Sequence, residues 1–102
     1  MKLPSKTAYP RHLIIGDSEW TVKFCRIILG DERLLGLCDP GDNSLKIRMK
    51  QDKMQTLLTF IHEVLHALEN EYDFHLGEEK VLKLEKAIAD FILVNSPLFA
   101  SE

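Results

Sequence analysis

Residues 52–68 read DKMQTLLTFIHEVLHAL, and this stretch decides the fold. Met54, Leu57, Leu58, Ile61, Leu65 and Leu68 recur at intervals of three and four, the spacing that lines up one apolar stripe on a helix. Asp52 stands where a helix N-cap belongs and Gln55 follows three residues later, a capping-box pattern. The helix therefore runs from about 53 to 70, roughly five turns at 3.6 residues each. Asn70 to Gly77 breaks the pattern and reads as a loop.

Downstream, a second helix runs from about 78 to 95. Val81, Leu84, Ile88, Phe91 and Ile92 form its expected buried face, and Asn95-Ser96-Pro97 ends it because proline cannot continue the hydrogen-bond ladder. Upstream, the period changes from helical to alternating over about residues 12–50. His12 to Ile15 stops at a Gly16-Asp17-Ser18 turn. In Glu19 to Ile28, the residues Trp20, Val22, Phe24 and Ile28 share one face, with Thr21, Lys23 and Cys25 on the other. Gly30-Asp31 marks a turn before a short apolar run from Arg33 to Cys38. Asp39-Pro40-Gly41-Asp42-Asn43 is the strongest turn signal, since proline fixes one φ and glycine or asparagine accepts a positive one. Leu45, Ile47 and Met49 then point inward and Lys46, Arg48 and Lys50 outward. Short turns between successive strands predict an antiparallel meander of three to four strands. The expected whole is one α+β domain over 1–102: a small antiparallel sheet packed on a two-helix hairpin.

Composition bounds what such a domain can do. The chain has 102 residues, 45% hydrophobic and 28% charged, the balance of a globular protein. Its net charge of −3 and its lack of a basic stripe argue against a nucleic-acid partner. No stretch is long and apolar enough to cross a bilayer, so no membrane role is expected. Met1-Lys2-Leu3-Pro4-Ser5-Lys6 lacks the apolar run of a signal peptide. The expected compartment is the cytoplasm, with Cys25 and Cys38 as free thiols in strands. Oligomeric state leaves no mark on the sequence.

Inside the first helix, His62-Glu63-Val64-Leu65-His66 is a His-Glu-x-x-His motif. Residues four apart on a helix lie one above the other, so both imidazoles reach one ion from one face. Zinc suits imidazole and carboxylate donors. Glu63, one residue after the first histidine, is placed to take a proton from a water on that ion. His62 and His66 are thus metal-ligand candidates and Glu63 the catalytic candidate.

Thr59 to Phe91, reading TFIHEVLHALENEYDFHLGEEKVLKLEKAIADF, resembles a family of compact phage- and bacterium-encoded zinc metallopeptidases. Their design is related to the SprT-like and ImmA/IrrE-like zincins and to the minigluzincins. The preceding GLCDPGDNSLKIRM is similar to the strand pair that such proteins place before the active-site helix. The resemblance implies a third metal ligand, an acidic residue early in the next helix, twelve positions after the second histidine. In Leu76-Gly77-Glu78-Glu79 that residue is Glu78. Glu85, on nearly the same face, is the competing ligand or else an acceptor for a histidine N–H, and His75 is a third candidate. Glu78 and Glu79 also suit a helix start electrostatically without any metal.

Tyr72 or His75 as an oxyanion donor, Asp90 as a partner of His62 or His66, and Trp20 as core complete the set of candidates. The function expected is zinc-dependent hydrolysis, as a metallopeptidase acting on peptide or protein substrates. An extended peptide would add beside the Leu45 to Lys50 strand, whose lysines and arginine would tolerate acidic sequences. Two alternatives stand beside it: a non-catalytic protein-binding module stabilised by zinc in a closed site, and a metal-free interaction domain.

Overall fold

The computed structural model describes residues 3–95. A short 3₁₀ turn, Lys6–Ala8, leads into strands β1 (His12–Ile15), β2 (Ser18–Cys25), β3 (Gly36–Asp39) and β4 (Ser44–Arg48). Two helices follow, α1 (Lys53–Tyr72) and α2 (Glu78–Val94). The architecture is α+β, with one four-stranded sheet and a helical pair. Among the described residues no helix is long and apolar enough to cross a membrane.

The sheet corrects one expectation. Its order is β1-β2-β4-β3, and β2 pairs with β4 in parallel, Val22 opposite Leu45 and Phe24 opposite Ile47. Only β1–β2 and β3–β4 are antiparallel, so the sheet is mixed and not a meander. Burial follows this order. Ser44, Leu45 and Ile47 are buried, whereas every residue of Gly36-Leu37-Cys38-Asp39 is only half-buried. The strand whose Leu45 and Ile47 are fully buried holds the central place, and the half-buried strand lies at the rim. Segment 26–35 carries the chain past the place β4 fills, through a tight turn in which Leu29 and Gly30 both have positive φ and Ile28 bridges Asp31.

The strand from Leu45 is therefore interior and cannot receive a peptide at its edge. Lys46 instead pairs with Asp39 at 3.3 Å, and Arg48 donates to the Glu32 carbonyl. The edges are β1 and β3.

Helix α1 packs against β3 and β4 on one side and against α2 on the other. Its Ala67, Val64 and Phe60 join Trp20, Val22, Leu45 and Ile47 in one core cluster. Leu57, Ile61 and Leu65 join Tyr9, Val81, Ala89 and Leu93 in the second. Each large side chain so buried contributes about 1.5–3 kcal/mol. The Asp52 side chain accepts from the Gln55 N–H at 2.7 Å, as the N-cap reading requires. At the far end, Glu71 accepts from Trp20 Nε1 at 2.9 Å and Ser18 Oγ at 3.0 Å, which fixes the last turn of α1 to β2.

On α2 the buried stripe is Val81, Ala89 and Leu93, with Ile88 and Ile92 packed beside it. Leu84 and Phe91, expected inside, lie outward, Phe91 at 57% exposure. Small Ala89 lets α2 approach α1 more closely than phenylalanine would. The helix ends at Val94, with the Asn95 N–H bonding to the Phe91 carbonyl; the expected stop at Ser96-Pro97 lies outside the described residues.

Gly36 brings the edge strand onto α1. A Cβ there would stand 2.6 Å from Thr59 Cγ2 and 2.8 Å from Glu63 Oε2. Gly36→Ala is expected to cost about 1–3 kcal/mol by overpacking. Thermal unfolding should register a fall of several degrees; an unchanged midpoint would show that β3 yields freely.

Candidate metal centre

One turn of α1 separates His62 from His66, and their Nε2 atoms face each other at 3.2 Å. The first residue of α2 completes the group: Glu78 Oε1 lies 3.0 Å from His62 Nε2 and 3.7 Å from His66 Nε2. Among the described residues these three side chains form the one cluster of ligating atoms close enough to share an ion. Sequence reasoning named all three.

The other nitrogen of each ring is taken. His62 Nδ1 lies 2.5 Å from Glu85 Oε1, and His66 Nδ1 lies 2.7 Å from Glu69 Oε1. A ring that donates its Nδ1 proton to a carboxylate presents Nε2, in the neutral form, as a bare lone pair. With both rings turned this way, two Nε2 atoms and a carboxylate oxygen converge on one point, an arrangement that a cation between them would satisfy. Zinc fits by size: atoms about 2.0–2.1 Å from a tetrahedral ion lie roughly 3.3 Å apart, within the range found here.

Glu85 lies against Nδ1 of His62 and Glu78 against Nε2, so the two glutamates reach opposite nitrogens of the same ring. His75 is 89% exposed, with Nδ1 3.8 Å from Glu69, and is not part of the cluster. Tyr72 and Asp90 are exposed, and Tyr72 lies beside Gly16. Trp20 is core, as expected.

Glu63 is 7% exposed. Burial raises its pKa above the ordinary carboxylate value; His62 and His66 pull it down, and Glu78 and Glu85 add to the rise. A carboxylate with raised pKa holds a proton more readily at neutral pH, which suits a group that must accept one and hand it on.

Two hollows meet at this point and share Gly36, His62 and Glu63. One, about 600 Å³, runs past Cys38, Pro40 and Phe74. The other, about 280 Å³, runs past Leu35, Gln55 and Leu82. Together they make a groove alongside β3. Cys38 borders it as a protonated thiol: burial, and then the charges of Glu63, Asp39 and Glu69, push its pKa up to about 12. Both Cys25 and Cys38 are free.

Sequence reasoning missed Glu69 and Gly36. Glu69 was within reach of it, being three residues after His66 and so on the same helical face. Gly36 carried no local signal, because its closeness to Glu63 depends on how β3 meets α1.

Comparison of the chain with protein-family models, with curated proteins and with solved structures finds no match.

Proposed function

We propose that this protein is a zinc-dependent hydrolase that cleaves peptide bonds. The observation that carries this reading is the convergence of His62 Nε2, His66 Nε2 and Glu78 Oε1, with both Nδ1 atoms already engaged by carboxylates. These three side chains would hold the ion and leave a coordination position for water or substrate. When bound, zinc supplies a lowered pKa for water and polarisation of a carbonyl.

The remaining work falls to the protein. Glu63, buried beside the histidines, accepts the proton of the attacking water and returns it to the leaving amine. Glu85 and Glu69 keep the two rings turned with Nε2 inward. Strand β3, an edge strand that meets α1 at Glu63, offers unpaired backbone groups to an extended chain. A peptide laid along it would pass between the two hollows, and this favours a peptide over a compact small molecule. Free cysteines suit the reducing cytoplasm as the site of action.

Protein purified without a metal-binding tag should contain one zinc per chain by elemental analysis. It should also cleave members of a fluorogenic peptide library in a reaction that a zinc chelator stops. Lack of zinc uptake overturns the reading. Zinc without cleavage of any library member would support the non-catalytic binding module instead.

A further inference from the structure

We propose that Glu69 is a positioning residue that joins the two halves of the metal site. One of its oxygens sets the ring of His66, and the other holds the segment that delivers Glu78. The inference rests on the metal reading above.

Glu69 has a side chain only 11% exposed and uses both oxygens. Oε1 meets His66 Nδ1 at 2.7 Å, while Oε2 accepts from the backbone N–H of Leu76 at 2.6 Å. Its backbone carbonyl accepts as well, from the N–H groups of Asp73 and Phe74. A single residue therefore closes the end of α1, orients a ligand on α1, and captures the chain two residues before the ligand on α2.

The connection needs such a hold. Asp73 and Gly77, with φ of 53° and 89°, turn the chain at either end of 73–77. Gly77 is the N-cap of α2 and offers no side chain to cap it. The direction in which the first turn of α2 leaves the loop is thus set from outside. The Leu76–Glu69 bond and the packing of Leu76 and Val81 on the core supply that setting. Glu78 itself is 60% exposed. Its carboxylate reaches the histidines because the backbone before it is fixed.

The chemistry requires a carboxylate. Two donors, the ring N–H and the Leu76 N–H, approach two acceptor oxygens. A glutamine of the same shape has one acceptor and one donor, so Glu69→Gln leaves one of the two N–H groups facing an amide NH₂. Metal affinity should fall through His66 and through Glu78 together.

Zinc affinity, measured by competition with a chromogenic chelator, tests this in four proteins: wild type, Glu69→Gln, Glu78→Ala and the double variant. Glu69→Gln is expected to weaken zinc binding by about 10–100-fold. Much of that loss should vanish in the Glu78→Ala background, since the clamp then has no ligand to deliver. Unchanged affinity in Glu69→Gln, or the same fold-loss in both backgrounds, overturns the proposal while leaving the zinc site intact. A wild type that binds no zinc instead overturns the metal reading. Should Glu69→Gln fail to fold, amide hydrogen exchange at Leu76 in the wild-type protein decides. Slow exchange, slower still with zinc, supports the clamp, and exchange at the rate of an open loop amide overturns it.

Discussion

Glu63→Gln is expected to abolish measurable peptide hydrolysis while zinc remains stoichiometric. General acid–base catalysis by a placed side chain contributes about 10²–10⁴-fold, and glutamine keeps the shape while losing the ability to take a proton. The atoms that would hold the ion belong to His62, His66 and Glu78, so the ion should stay. Steady-state cleavage of a fluorogenic peptide, beside elemental analysis of the same sample, separates the two effects. Activity within about twofold of wild type would remove Glu63 from the chemistry.

The same substitution should stabilise the metal-free protein. Burial raises the folded-state pKa of Glu63 above its unfolded value, so the native state holds that proton more tightly than the unfolded chain does. Stability from this group is fully present below the unfolded pKa. It is lost as pH rises through the folded one. At pH 7 the wild type therefore carries the cost of a buried carboxylate and the glutamine variant does not. The gap in melting temperature between the two metal-free proteins should widen on going from pH 4 to pH 7. A gap independent of pH would mean that Glu63 is solvated in the folded protein.

Local signals in the sequence were sufficient where the structure is local. The Asp52 cap, both helices and the Gly16-Asp17 hairpin turn depend on neighbours a few residues away, and all formed where spacing placed them. The pairing of β2 with β4 joins strands about twenty residues apart, a long-range relation that alternation within one strand does not contain. Helix α2 illustrates the same limit. Leu84 and Phe91 share the helical period with Val81, yet Ala89 takes a place in the core and they lie outward. At the candidate metal site, the closeness of His62 and His66 follows from helix geometry alone. Distinguishing Glu78 from Glu85 required the two ring nitrogens, because both carboxylates lie within 3.0 Å of His62 on different sides.

Removing the metal should lower the melting temperature by about 15–30 °C at free zinc roughly a thousandfold above its dissociation constant. A ligand bound only by the folded state at that excess adds about 4.1 kcal/mol. For a domain of this size each kilocalorie moves the midpoint by about 4–8 °C. The ion would tie α1 to the first residue of α2, whose side chain is exposed and whose N-cap, Gly77, gives no side-chain cap. Most of the gain should therefore vanish in His62→Ala and His66→Ala, each of which removes an imidazole and leaves Glu85 or Glu69 without its ring partner. Glu78→Ala should retain part of it, since two histidines still bind zinc weakly. Calorimetry with and without a chelator measures all four proteins. A zinc-dependent shift that survives His62→Ala undiminished would place the metal elsewhere, and with it the whole functional reading would fall. If instead the shift behaves as expected but Glu63→Gln leaves peptide hydrolysis unaltered, the metal is structural and catalysis lies outside this cluster. The two measurements together therefore separate a site that holds the fold from one that also turns over substrate.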